Sequence, residues 1–142
     1  MDGKIIIVGA TGYTGSALAK SLKKENIDCH LIGRNEAELQ KLANETGQSY
    51  SVCSNVSDEQ SVNESLSSIA NDKILGFAYC VGSIVLKSFQ TTKTDDFINT
   101  FNLNVLGAIH FIKKLQKQLA ENNGSIVLFS TVAVDRGFNM HS

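Results

Sequence analysis

Two rhythms of apolar residues alternate along this chain. Short apolar runs stand at Ile5 to Val8, at Asp28 to Ile32 ending on Gly33, at Ser49 to Cys53, at Ile74 to Val81 and at Ser125 to Phe129. Each has the length and composition of a strand. Between them, apolar positions recur every three or four residues, the spacing that lines one face of a helix. Ala17, Leu18 and Leu22 mark a helix from about Tyr13 to Glu25. Leu39, Leu42 and Ala43 mark a second, opened by Asn35 with Glu38 and ended by Gly47. Val62, Leu66 and Ile69 mark a third, for which Ser57 with Gln60 supplies the capping pattern. A loosely patterned stretch, 83–93, precedes the longest helix, which Thr94 starts and Asn122-Asn123-Gly124 stops.

The resulting order is βαβαβαβαβ. Strict alternation with crossover helices requires a parallel sheet covered on both faces, and a glycine-rich crevice after the first strand calls for the doubly wound arrangement. The long helix exceeds what one packing surface can use. Phe97, Phe101, Val105, Ala108, Ile112, Leu115 and Leu119 form its stripe, and Ile98, Leu103, Leu106, Ile109 and Phe111 widen it. The second side is expected either at a subunit contact, giving a homo-oligomer through the helix around 95–121, or in the protein's own core.

Length and charge narrow the classes. A chain of 142 residues suits one domain, 1–142, with a single core. Its 42% hydrophobic and 19% charged content is that of a globular protein, and a net charge of −1 offers no footprint for nucleic acid. No apolar stretch approaches the roughly 20 residues of a membrane span, and the N-terminus lacks a signal-peptide layout, so a cytoplasmic location is expected. Cys29, Cys53 and Cys80 read as reduced, buried thiols, and with His30, His110 and His141 they show no ligand spacing. No metal is expected. The chain has no proline, for which the sequence offers no reason.

The chemistry concentrates after the first strand, in Gly9-Ala10-Thr11-Gly12-Tyr13-Thr14-Gly15. Gly9 permits a sharp turn, Gly12 leaves room for a diphosphate against backbone, and Gly15 lets the helix lie close to the strand. Unpaired N–H groups and the positive end of the helix dipole then face the ligand, and Thr11 and Thr14 add hydroxyl donors. A nucleotide cofactor is the expectation. Folds that prefer NAD(H) place an acidic residue about 20 positions on, at the end of the second strand. Gly33 stands there instead, followed by Arg34, whose guanidinium suits a 2′-phosphate. NADP(H) is therefore preferred over NAD(H).

Taken in order, the loop, Arg34, the glycine after the fourth strand and the Asn-bearing long helix resemble the N-terminal part of a short-chain dehydrogenase/reductase, a Rossmann-type fold, over essentially the whole chain. The resemblance implies that Asn55 and Val56 contact adenine and that Gly82 lies on the ribose side, with Tyr13 among the loop residues at the cofactor. Tyr79-Cys80-Val81-Gly82 stands where the family usually has Asn-Asn-Ala-Gly, removing the amides that brace its sheet. Asn104, in Asn104-Val105-Leu106-Gly107, looks like the catalytic asparagine that holds a water in a proton relay. Thr131, aligned by Gly124, or its neighbour Ser130 takes the place of the catalytic serine that polarises the substrate oxygen of a carbonyl or alcohol. Either residue can equally tie down a turn.

The family's Tyr-x-x-x-Lys is not present: Tyr13, Tyr50 and Tyr79 all lie upstream, none followed by Lys at that spacing. This points to an incomplete enzyme whose last strands are missing, with an apolar fifth strand as an open edge and little or no turnover by itself. A non-catalytic NADP-binding sensor or partner protein is the alternative. The two-residue gaps between loop glycines also admit a nucleotide-sugar epimerase or dehydratase.

Overall fold

The computed structural model describes residues 2–140; His141 and Ser142, at the end of the sequence, lie outside them. Five strands form one sheet: β1 (Lys4–Val8), β2 (Cys29–Gly33), β3 (Ser49–Val52), β4 (Ile74–Tyr79) and β5 (Ser125–Leu128). Their order is β3-β2-β1-β4-β5, and every neighbouring pair is parallel. The chain thus works outward from β1 in one direction and then returns to fill the other side. This is the doubly wound arrangement that the alternation predicts.

Strand period divides the core. Ile6, Val8, Ile32, Phe77 and Tyr79 point to one face of the sheet, where helices α3 (Glu59–Leu66) and α5 (Gly107–Glu121) bring Val62, Leu66, Phe111, Leu115 and Leu119 against them. Ile7, Leu31 and Cys29 point to the other, under α1 (Tyr13–Lys24) and α2 (Glu36–Thr46) with Ala19, Leu39, Leu42 and Ala43. Burial on both faces is why β1 and β2 read as unbroken apolar runs rather than alternating ones. β5 differs, because all four of its residues are exposed at the sheet edge.

Helix ends largely follow their side-chain chemistry. Asn35 Oδ1 accepts the Glu38 N–H at 3.3 Å, and Gly47, at φ 70°, closes α2 in the left-handed conformation that glycine adopts freely. The cap of α3 is a correction. Asp58, not Ser57, caps it, with Oδ2 accepting the Ser61 N–H at 2.9 Å. The Ser57 N–H that a Gln60 side chain would accept in a capping box is already given to Asn55 Oδ1 at 2.9 Å, and a carboxylate is the stronger acceptor at a helix start. The long helix is also not uniform. It comprises α4 (Thr94–Phe101), a π-helical turn over Asn102–Leu106, and α5.

The join between β1 and α1 depends on missing side chains. Gly9 turns at φ 79°, and a Cβ there would come within 2.9 Å of the Cys80 carbonyl group. Gly15 is buried in the first turn of α1, and a Cβ on it would overlap the Gly9 carbonyl oxygen and stand 2.8 Å from Ala10 Cα. Both obstacles are backbone and cannot rotate away.

A buried polar row crosses the sheet at β2. His30, 1% exposed, sits between Ser49 Oγ (2.8 Å from Nδ1) and Ser51 Oγ (2.9 Å from Nε2). Ser51 spends its hydroxyl proton on the Ser65 carbonyl at 2.6 Å. It therefore accepts from Nε2–H, leaving Nδ1 to accept from Ser49, which fixes one neutral tautomer. Burial, reinforced by the nearby Lys4 charge and only partly opposed by Asp72, pulls the His30 pKa down to about 4.

Two outcomes follow. Gly15→Ala should lower unfolding stability by about 1–3 kcal/mol in urea titrations, and an unchanged midpoint would refute the packing argument. Because His30 titrates lower folded than unfolded, the unfolded chain binds the extra proton between the two values. Its contribution is complete above about pH 6.5 and is lost as pH falls toward 4, by at most about 3 kcal/mol. His30→Gln should flatten that part of the stability curve; an unaltered slope would exclude His30 as its source.

Candidate functional site

All five strands point their carboxyl ends at one edge of the sheet, and the loops there converge. β1 delivers 9–12, β2 delivers Gly33 and Arg34, β3 delivers 53–56, β4 delivers 80–83 and β5 delivers 129–131. Beside β1 and β4 the winding reverses, and a crevice opens where neighbouring connections leave in opposite directions.

Two of the clefts at this edge share Cys80, Val81, Gly82 and Ser83 as a common wall. The first, about 430 Å³, runs from Gly9, Thr11 and Gly12 past Gly33 and Arg34 to Ser54, Asn55 and Val56. The second, about 710 Å³, is lined by Thr14, Asn104, Val105, Phe129, Ser130 and Thr131. A further cavity of about 730 Å³ lies elsewhere, between α3 and α5, around Asn63, Lys73 and Lys114. It contains none of the residues that the sequence suggests for cofactor binding or catalysis.

The glycine loop divides its backbone donors into two sets. Gly9 and Ala10 N–H both go to the Ile32 carbonyl, at 2.9 and 3.0 Å, and Gly12 N–H goes to the Gly9 carbonyl at 3.1 Å. The first intrahelical bond of α1 is Ser16 N–H to the Gly12 carbonyl at 2.9 Å, and no side chain caps the helix. The amides of Thr11, Tyr13, Thr14 and Gly15 therefore have no acceptor among the described residues. Four open donors at a positive helix end form an anion cradle, and at Gly12, which lines the cleft, the one neighbour a Cβ would meet is the Gly9 carbonyl oxygen at 3.3 Å, so the loop stays open to a ligand there. The loop thus fits a diphosphate.

Side chains around the cradle are arranged as follows. Thr11 is half-buried, with Oγ1 close to Gly33, where a Cβ would lie 3.6 Å from it. The Tyr13 ring, by contrast, is in solvent, the residue being 94% exposed and lining neither cleft, so the structure keeps only its N–H with the other loop residues. Thr14 lines the second cleft. Arg34 is exposed at the rim of the first, and no carboxylate lines that cleft. Asn55 is exposed, with Oδ1 engaged by Ser57 N–H, whereas Val56 turns its side chain into the core.

In the second cleft, Asn104 occupies the middle of the π-turn. Its Oδ1 accepts Ser83 N–H at 2.8 Å and its Nδ2 donates to the Ser83 carbonyl at 3.0 Å. Both ends of the carboxamide are committed to the loop after β4. Ser130 and Thr131 follow β5, and Thr131 Oγ1 accepts the Ala133 N–H at 3.2 Å. The turn-stabilising use of that hydroxyl is therefore real. No such bond engages Ser130 among the described residues, and it lines the cleft.

Several lining residues were not expected from the sequence, Ser83 and two others among them. Cys80 lines both clefts, half-buried, with its thiol pKa pushed up by burial, and Ser54 lines the first. Tyr79 does not merely remove an amide: its hydroxyl donates to the Leu103 carbonyl at 2.6 Å and braces the π-turn. The close packing of Gly107 on Tyr79 was the available signal, as a lone glycine inside a long apolar helix marks a close approach.

The comparisons agree with this geometry. No curated protein matches the chain by sequence. A short chain dehydrogenase/reductase from Saccharomyces cerevisiae superposes with a TM-score of 0.90 at 16% identity, covering 98% of this chain and 57% of that one. A short-chain type dehydrogenase/reductase from Mycobacterium ulcerans gives 0.88 at 17% identity, with 97% and 54% covered. The actinorhodin polyketide ketoreductase, whose structure contains NADPH, gives 0.88 at 16% identity, with 96% and 56% covered. The chain thus spans just over half the length of each of these three. Identities so low establish the fold, which is the Rossmann-type sheet. A sequence profile described as short chain dehydrogenase matches residues 3–142, and by that match the chain belongs to the short-chain dehydrogenase family.

Proposed function

We propose that residues 1–142 are the coenzyme-binding unit of an NADP(H)-dependent oxidoreductase that works in the cytoplasm on a small carbonyl or alcohol. The observation that carries this reading is the anion cradle, four unpaired amides beside an acid-free cleft with Arg34 at its rim. Thr11, Thr14 and the open amides of 11–15 hold the diphosphate, with Gly9, Gly12 and Gly15 leaving the room for it. Arg34 takes the 2′-phosphate by charge-assisted hydrogen bonds. Asn55 offers its amide nitrogen to adenine, and Val56 supports that loop from below. Gly82 lies on the ribose side. Tyr13, given its exposure, contributes its backbone N–H rather than its ring.

When bound, the coenzyme supplies or accepts a hydride. The second cleft is the place for the substrate oxygen, with Ser130 as the hydroxyl that polarises it and Thr131 shaping the turn beside it. Asn104 holds the loop wall and, in the relay that the family resemblance implies, positions a water. By itself this chain binds coenzyme with modest affinity and turns over little.

The exposed stripe Phe97, Ile98, Phe101, Val105 and Ile109 along α4 and α5 is the surface we assign to a second copy of the protein. Apolar side chains this large and contiguous favour burial in a homo-oligomer.

Calorimetric titration tests the coenzyme reading. NADPH should bind more tightly than NADH by about tenfold or more, the scale of a charge-assisted phosphate contact, and Arg34→Ala should erase the difference. Equal affinities in the unaltered protein would remove the NADP(H) preference, and no heat with either coenzyme would remove the reading itself. Sedimentation tests the oligomer: Phe101→Glu should yield monomers where the unaltered chain forms dimers or larger species. A monomeric unaltered chain at high concentration would overturn that assignment.

A further inference from the structure

β4 sends one large side chain into the helix layer that neither cleft uses. Tyr79 is 3% exposed, and its ring packs against those of Phe77 and Phe111, with centroids 6.3 and 6.4 Å away. Its hydroxyl donates to the Leu103 carbonyl at 2.6 Å. Leu103 belongs to the π-turn, where the wider ladder shifts carbonyls away from their usual partners four residues on. In this turn the Gly107 N–H reaches five residues back to the Asn102 carbonyl, and the Tyr79 hydroxyl adds a side-chain donor at the neighbouring Leu103 carbonyl. Burial pushes the Tyr79 hydroxyl well above the ordinary tyrosine range, so it remains a donor at any working pH.

Gly107 completes the arrangement. A Cβ on it would overlap the Tyr79 hydroxyl and stand 3.0 Å from Val56 Cγ2. Tyrosine at 79 and glycine at 107 are therefore sterically matched. The residue after Leu103 is Asn104, whose carboxamide grips Ser83 on both its N–H and its carbonyl. Ser83 in turn belongs to the wall shared by the two clefts.

We propose that Tyr79 is a positioning residue for the site: its bond to Leu103 sets the π-turn, the π-turn aims Asn104, and Asn104 fixes the 80–83 wall. The placement of the wall follows from the geometry alone, whereas its service to a coenzyme rests on the reading given above. Tyr79 touches no ligand. Its effect passes through Asn104 to the end of the site away from Arg34.

Amide hydrogen exchange on the 142-residue chain reads the device without any ligand. Tyr79→Phe should speed exchange at Ser83 by about tenfold, the scale of one lost hydrogen bond. Gly107→Ala, which crowds the same hydroxyl from the opposite side, should do likewise. Leu115→Ala, a core change that lowers global stability away from the π-turn, should leave Ser83 within about twofold. Ser83 exchange unchanged in both site variants, or accelerated equally by Leu115→Ala, overturns the proposal. Coenzyme affinity supplies the second readout. Tyr79→Phe should weaken NADPH several-fold while leaving adenosine 2′,5′-bisphosphate unaffected, and equal weakening of both would refute action through Asn104. An unaltered chain that binds neither probe but shows the exchange pattern would keep the device and overturn the coenzyme reading.

Discussion

Everything at the ligand edge depends on one backbone approach, that of the Gly9 carbonyl to Gly15. Helix α1 can begin directly over the end of β1 only because residue 15 has no side chain to hold it off. That closeness places the open amides of the helix start at the crevice between β1 and β4 rather than out in solvent. The Gly9 and Ala10 amides are committed to β2 and that of Gly12 to the Gly9 carbonyl, leaving those of Thr11, Tyr13, Thr14 and Gly15 without an acceptor among the described residues. Displace the helix outward and the donors no longer converge, whatever the remaining residues do.

The other end of the site is held chiefly by side chains. The Tyr79 hydroxyl on the Leu103 carbonyl, and the side chain of the next residue, Asn104, on Ser83, link the sheet core to the loop surface through one step of backbone. A backbone cradle and a side-chain brace meet at Cys80–Ser83, so the two clefts cannot shift independently. The division suits a ligand with a constant phosphate part and a reacting part that needs exact placement.

Much of this was legible in the chain. Strand number, parallel order, the caps at Asn35 and Gly47 and the roles of Gly9 and Gly15 all follow from local chemistry acting at short range. The failures share a cause. Asp58 displaced Ser57 as a cap because Asn55 had already claimed the Ser57 amide, a competition that a capping pattern does not record. The π-turn and the Tyr79 bond join residues 24 positions apart, and no helical period reveals them. Tyr13 looked like part of the cradle by sequence adjacency, yet the first turn of α1 rotates its ring into solvent.

The wider turn at 102–106 also governs the outer surface. In a regular α-helix, residues four apart advance about 40° beyond a full circle, so a line of them winds around the axis. Inserting a turn that takes more residues makes the next step fall short and cancels part of that drift. Phe97, Phe101, Val105 and Ile109, all exposed and spaced four apart across the insertion, therefore wind less around the axis than in an unbroken α-helix. The same local irregularity that serves the interior keeps the apolar seam on the exterior straighter, and deleting one residue from it would twist the two apart.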